Sequence, residues 1–300
     1  MPDSPLTAEA PAAPGLPAPG LPAPGLPAPG LPALDLPALR DAVRAVAVEA
    51  GRVILDHYGR PSPVDYKADD SPLTQADRAS HHLIADRLAA LTPEIPVLSE
   101  ESDPGAYAAR AGWRRFWCVD PLDGTKEFVK RTGEFTVNVA LIEDGEPVLG
   151  VVHVPALDRT YAAARGHGAF RFEGAGEGVA IRVRAHDPRR LTVVASRDHA
   201  GPEVAEILRT LEAAGVAVQA ASMGSSLKFC LVAEGAADLY PRTVPTFEWD
   251  TAAAQAVVEE AGGRLTTLDG VRLAYNKADL RNPSVMTAGD AALDWAPFLP

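Results

Sequence analysis

Carboxylates recur in this chain where apolar runs stop. Asp120 and Asp123 stand three residues apart in CVDPLDGTKEF, residues 118–128, directly after Phe116 and Trp117. Glu100 and Glu101 follow the run IPVL, and Asp250 follows TFEW. Like charges brought together repel and raise one another's pKa, and a divalent cation relieves that cost. Carboxylates, backbone carbonyls and water are the donors magnesium takes, and no His or Cys cluster points to zinc instead. The rest of the stretch supplies an anion side. Gly124 allows close backbone approach, and Thr125–Phe128 can open a helix whose free N–H groups suit a phosphate. Two ions about 3.5–4 Å apart would then clamp an in-line attack on phosphorus. Each signal has a plainer meaning alone. Asp-x-x-Asp is usually a turn or cap, Glu100-Glu101 a solvated loop, Asp77 a capping-box residue and Asp250 an N-cap. Only their joint arrangement favours a metal.

Such residues need elements to hold them. LPALRDAVRAVAVEAGRVILDHYG is apolar at helical spacing and stops at Gly59, with His57 in the last turn, where a cation suits the helix dipole. Ala76, Ala79, Leu83, Ile84, Leu88 and Leu91 line one face of a second helix, opened by the capping signature Thr74 to Asp77. IPVLSEES and RRFWCVD read as buried strands, and EFTVNVALI and PVLGVVHVP as a hairpin around EDGE. Further strands are predicted near Thr160–Ala164, Ala169–Phe172, Ile181–Ala185, Leu191–Ser196, Val216–Ala221 and in ADLYPR. Helices are predicted near Gly201–Ala214, Ser225–Glu234 and Asp250–Ala261. Hairpins come first, and strands alternating with helices follow. That order implies an α/β fold of stacked layers.

The bulk properties narrow the function. Net charge is −12 over 300 residues, which argues against a grip on nucleic acid. A small phosphorylated substrate remains compatible if metal ions reverse the local sign. Cys118 and Cys230 are the only cysteines, so no disulfide framework is implied, and Cys118 reads as a core thiol. No run of about 18 uncharged apolar residues reads as a membrane span. The first basic residue is Arg40, unlike the charged start of a signal peptide. The expectation is a cytoplasmic protein, at most peripheral on a membrane, with oligomeric state left open. GLPAP recurs at Gly15, Gly20 and Gly25, then GLPAL at Gly30. Proline at this density excludes helix and ladder, so residues 1–37 are expected to be a disordered or polyproline-like leader. Residues 38–300 form the expected catalytic domain, with a metal-binding half at about 38–180 and a second α/β half at about 181–300.

From about Leu36 to Asp290 the chain resembles the inositol monophosphatase superfamily of magnesium-dependent, lithium-sensitive phosphatases. The motifs are SEES (99–102), DPLDGT (120–125) and WDTAAA (249–254). Within it, YKADDSPLTQAD (66–77), GTKEF (124–128) and GSSLKFCLVAEGAADLYPR (224–242) are similar to the 3′(2′),5′-bisphosphate nucleotidases of sulfur assimilation. Inositol phosphatases usually carry Thr-Asn-Phe where this chain has Lys126-Glu127-Phe128. The resemblance implies the layered αβαβα sandwich of the sugar phosphatases. It implies two to three magnesium ions: Glu100, Asp120 and the Leu122 carbonyl on the first, Asp120, Asp123 and Asp250 on the second, and a looser third near Asp123 and Asp77. It makes Asp77 and Thr125 the pair that orients the attacking water, and the Gly124 and Thr125 amides the binders of departing phosphate. Ser196, Arg197, His199, Gly224, Ser225 and Lys228 fall where relatives bind the nucleoside part, Lys228 meeting the second phosphate.

Two departures from the family bear on substrate preference. Asp198 stands where a serine is usual, and Thr243-Val244 replace an aromatic and a glycine in YPRTVPT. The implied reaction is hydrolysis of 3′-phosphoadenosine 5′-phosphate to AMP and phosphate by direct transfer to water, since no side-chain nucleophile with an adjacent base stands out. The alternatives are an inositol or other small sugar phosphatase, and a nucleotide-binding regulator without turnover.

Overall fold

The amphipathic run after the repeats folds as α1 (Leu36–His57), and Asp35 caps it by accepting from the Ala38 N–H at 3.0 Å. Pro37 sits in the first turn, where no helical N–H bond is required. Leu34 and Leu36 pack on the core beneath, so the helix begins inside the expected leader. In this computed structural model the described residues are 31–59, 65–66, 72–103, 105–196 and 201–299. The GLPAP repeats before residue 31 lie outside them, as do Arg197, Asp198 and His199.

A two-residue hairpin, β1 (Asp65–Tyr66) with β2 (Pro72–Leu73), precedes α2 (Gln75–Leu91). The capping box read from the sequence is present: Thr74 caps α2 and Asp77 accepts the Thr74 N–H at 2.8 Å. A seven-stranded sheet then runs in chain order: β3 (Val97–Ser99), β4 (Arg115–Asp123), β5 (Thr136–Glu143), β6 (Glu146–Val154), β7 (Arg159–Ala164), β8 (Ala169–Glu173) and β9 (Val179–Ile181). Only β3 and β4 are parallel, and their crossover carries α3 (Tyr107–Arg110). The next connection, between β4 and β5, carries α4 (Thr125–Lys130).

Past residue 182 come β10 (Arg190–Ser196), β11 (Ala217–Met223), β12 (Leu239–Arg242), β13 (Thr246–Phe247), β14 (Arg264–Thr267), β15 (Arg281–Asn282) and β16 (Val285–Ala288). Five of them form a second sheet in the order β11-β10-β12-β16-β14, and β13 pairs with β15. Three helices serve this part: α5 (Pro202–Ala213), α6 (Leu227–Ala233) and α7 (Glu248–Glu260).

Strand alternation assigns the layers. On β4, Trp117 and Val119 face the core under α1 and α2, while Phe116 and Cys118 face a second core shared with α6 and α7. That second core also takes Val194, Tyr240, Leu265 and Val285 from the other sheet. The outer face of the second sheet packs Val193, Leu239 and Met286 against Ile207 and Leu211 of α5. The result is the expected five-layer αβαβα sandwich, with α6 and α7 between the sheets. Among the described residues no helix is long and apolar enough to cross a membrane.

Two predicted elements differ. Ile181–Ala185 alternates like a strand, but β9 ends at Ile181, and the Val183 N–H bonds the Ala261 carbonyl after α7 at 3.0 Å. The last long helix starts at Glu248, not Asp250, because its N-cap is Phe247. Asp250 is therefore the third helical residue rather than the cap.

Gly150 lets α7 lie on β6. A Cβ there would sit 2.8 Å from the Ala256 Cβ and collide with the Ala253 carbonyl oxygen. Gly150→Ala must push the helix off the sheet, costing about 1–3 kcal/mol and roughly 2–9 °C in the thermal midpoint. A melt of this variant at or above wild type would show that α7 has slack at this contact.

Candidate metal and phosphate site

Asp120 and Asp123 end the buried strand β4, and their odd spacing poses a geometric problem. In a regular strand, residues three apart point to opposite faces. Here Asp120 pairs with Asn138 and Asp123 with Thr136, so three steps on β4 oppose two on β5. This bulge, containing Pro121 and Leu122, returns both carboxylates to one side. Oxygens of Asp120, Asp123 and Asp250 lie within 4.8 Å of one another.

Asp123 is held from β5 and α6. Its Oδ2 accepts from the Ser226 N–H, the Ser226 hydroxyl (2.6 Å), the Thr136 hydroxyl (3.3 Å) and the Asn138 amide (3.4 Å). The Ser226 hydroxyl also lies 2.9 Å from the Asp250 carbonyl oxygen, tying the start of α6 to the start of α7. Asp250 Oδ2 accepts the Phe247 N–H at 2.7 Å, and Asp120 Oδ1 accepts the Leu122 N–H at 3.0 Å. Each carboxylate is thus oriented through one oxygen.

The electrostatic cost is visible in the proton affinities. Burial first, then the charges of Glu100, Asp123 and Asp250, hold Asp120 well above the usual carboxylate range. Glu100 also shares a hydrogen bond with Asp120. Burial, then Asp123 and Glu100, push Asp250 up to about 8, against the Phe247 N–H. Oxygen donors that repel one another fit a hard divalent cation, so these residues could hold one.

Asp77 is 2% exposed at the start of α2. One of its oxygens takes both the N–H and the hydroxyl of Thr74, and the other accepts from the Thr125 hydroxyl at 3.2 Å. Thr125 Oγ1 lies 3.3 Å from the Leu122 carbonyl as well. Burial raises the Asp77 pKa, opposed by the two Thr74 bonds. Ser80 of α2 donates to the Pro121 carbonyl at 2.7 Å, pinning the bulge to the helix that carries Asp77.

A cavity of about 240 Å³ opens beside the carboxylates, lined by Asp123, Gly124, Thr125, Ser225, Lys228 and Asp250. Lys228 is 4% exposed, donates to the Ser225 carbonyl at 2.6 Å and sits 5.5 Å from the Tyr240 ring centre. Burial pushes its pKa down to about 8. Gly224 does not line this cavity: its N–H goes to Glu134 at 2.9 Å, and a Cβ there would meet Glu127 Cγ at 2.6 Å. Ser196 ends β10. Thr243 and Val244 lie by Gly201 on the approach to α5, and the cavity does not reach them.

The structure adds residues that the motifs did not single out. Arg242 lines the cavity with its Nε buried and unpartnered. Its sequence signal was a basic residue ending the strand ADLYPR. Ser226, Asn138 and Thr136 carry no such signal, since each acts through a long-range contact with Asp123.

Over residues 35–295 the chain matches the model described as the inositol monophosphatase family. It is 50% identical over 237 residues to the 3′(2′),5′-bisphosphate nucleotidase CysQ of Escherichia coli (strain K12), covering 78% of this chain and 93% of that protein. The protein of the same name from Haemophilus influenzae is 34% identical over 255 residues, covering 84% and 93%. The crystal structure of CysQ from Bacteroides thetaiotaomicron, described as a bacterial member of the inositol monophosphatase family, superimposes with TM-score 0.74 at 42% identity. It covers 84% of this chain and 97% of that one. The extragenic suppressor protein suhB of Bartonella henselae gives TM-score 0.70 at 27% identity, covering 84% and 94%.

A pH prediction follows from Asp250. The folded protein keeps a proton there up to about pH 8, whereas the unfolded chain releases it near 3.8. This contribution to stability is complete below the unfolded pKa and is lost as pH rises through the folded one. With a chelator present, the thermal midpoint should lose this contribution between about pH 5 and pH 8, and the rise given by magnesium chloride should grow over the same span. An equal magnesium-induced rise at both ends would contradict the site's charge balance.

Proposed function

The chain belongs to the inositol monophosphatase family, and on that premise we propose that it hydrolyses the 3′-phosphate of 3′-phosphoadenosine 5′-phosphate. Water adds to phosphorus, the P–O3′ bond breaks, O3′ takes a proton, and AMP and inorganic phosphate leave. The observation that carries this reading is one cavity lined both by the carboxylates Asp123 and Asp250 and by two cations, the buried Lys228 and the half-buried Arg242. A single phosphate at the carboxylates would leave those cations unused. A second phosphate on the same molecule would meet them, and relatives with this site are named bisphosphate nucleotidases.

Glu100, Asp120, the Leu122 carbonyl, Asp123 and Asp250 would hold two to three magnesium ions. Bound there, the ions would lower the pKa of water and offset phosphoryl charge. The chain's own groups do the rest. Thr125 accepts a hydrogen bond from the attacking water while its hydroxyl donates to Asp77 Oδ1, so the pair can move a proton from the water toward Asp77. Thr74 occupies the other Asp77 oxygen and keeps Oδ1 turned to Thr125. The Gly124 and Thr125 amides receive the departing phosphate. Lys228 stays largely protonated at neutral pH, and an anionic ligand would raise its pKa again. Arg242 offers the guanidinium fork that suits phosphate. Ser196, Arg197, His199 and Ser225, the last of which lines the cavity, are the candidates for the nucleoside, while Gly224 spends its N–H on Glu134.

Phosphate release with magnesium should favour 3′-phosphoadenosine 5′-phosphate over inositol 1-phosphate in kcat/KM, with lithium inhibiting both. Equal or better turnover of inositol 1-phosphate would replace the nucleotidase reading with a sugar phosphatase one, and ligand binding without turnover would favour a regulator. Arg242→Met should raise KM for the bisphosphate by about 10–100-fold while leaving a monophosphate little changed, as expected for one charged hydrogen-bond partner. Asp123→Asn should lower kcat by orders of magnitude while the fold survives.

A further inference from the structure

Glu248 is fully buried at the first position of α7, yet it does not line the cavity. Its carboxylate accepts the N–H of Asn276 at 2.7 Å, the N–H of Lys277 at 2.8 Å and the Lys277 ammonium at 2.8 Å. Lys277 also donates to Asn282 at 3.1 Å, and Asn282 donates to the carbonyl of the N-cap residue Phe247 at 2.7 Å. The first turn of α7, which carries Asp250, is therefore fixed to the 276–277 turn from two sides.

The same turn grips a second segment. Asn276 has φ +67°, and its side chain accepts from Arg110 at 2.9 Å while donating to the Arg110 carbonyl at 2.8 Å and the Trp113 carbonyl at 3.3 Å. Arg110 is 2% exposed and also donates to the Ala278 carbonyl at 3.2 Å. It closes α3, on the connection from β3 to β4 that begins with Glu100. The near end of that connection is set by the Glu100 N–H on the Val119 carbonyl at 3.1 Å.

We propose that Glu248 is a positioning residue for the cation site: through the Asn276–Arg110 clamp it holds the Glu100 segment at a fixed separation from Asp250. The proposal rests on the metal-site part of the function above and not on the identity of the substrate. A charge buried with this many donors orders its surroundings only while every donor is satisfied. In Glu248→Gln the amide confronts a buried donor, the 276–277 turn loosens, and both carboxylate-bearing segments lose their common anchor.

Two variants test it. Glu248→Gln keeps the shape of the side chain. Asn276→Gly keeps the left-handed backbone and the N–H to Glu248 but removes the grip on Arg110. Magnesium binding would be measured by calorimetry without substrate, alongside the magnesium half-saturation of turnover, with circular dichroism and the thermal midpoint reporting the fold. Each variant should bind magnesium about 10-fold more weakly, with kcat at saturating magnesium within about threefold of wild type. The double variant should lose no more than the worse single, since both cut one link. Unchanged magnesium affinity in either folded variant, or losses that multiply in the double, would overturn the proposal. If Glu248→Gln does not fold, Asn276→Gly decides alone. A wild-type protein that binds magnesium but ignores the bisphosphate would sink the nucleotidase reading and leave this comparison intact.

Discussion

Repulsion among carboxylates held in one partly buried corner is the constraint on which the rest of this structure depends. Asp120, Asp123 and Asp250 would each be cheaper to place apart, in water. The fold instead spends local structure on keeping them together. A bulge turns Asp123 to the side of Asp120, Ser226 ties Asp123 to the backbone of Asp250, and a helix start fixes Asp250 by its own cap. Devices that pull against an electrostatic gradient in this way make sense where a cation completes the balance.

The middle layer explains how the donors arrive from distant parts of the chain. The first sheet supplies Asp120 and Asp123 from the end of β4, while α6 and α7 supply Ser226 and Asp250 from between the sheets. Rigid packing makes this arrangement accurate. Ala252, Ala253, Val257 and Val258 of α7 are fully buried or nearly so, and Gly150 permits contact without an intervening side chain. The cavity opens where these layers end, so cations such as Lys228 can be buried on a helix yet face the acidic corner.

Much of this was legible in the sequence, for physical reasons that differ by residue. Strand ends and helix faces follow from local periodicity, and the Thr74–Asp77 cap is a local hydrogen-bonding pattern. The family motifs gave the carboxylates by order and spacing. The bulge was not legible, because Asp-Pro-Leu-Asp reads equally well as a turn, and only the partner strand defines the missing step. The true start of α7 is not legible in TFEW, because Glu248 finds its partners only in the distant 276–277 turn. Arg182–Ala185 alternates like a strand but spends its hydrogen bond on a helix end. Ser226, Asn138 and Thr136 owe their places to contacts with Asp123 across many residues, which no window of sequence contains.

The wide separation of the site's contributors along the chain also bears on how the molecule assembles. The hairpins from β4 to β9 join neighbours and can zip early, whereas β10, β11 and β12 need parallel pairing across intervening helices, which closes slowly. A chain with only its first sheet in place already holds Asp120 and Asp123 but lacks Ser226 and Asp250. Such an intermediate carries the donors expected for a first ion, Glu100, Asp120 and the Leu122 carbonyl, but not Asp250 for a second. A cation site that includes Asp250 is therefore completed only when α7 docks between the sheets, so a cation bound there would favour the finished molecule over the half-assembled one.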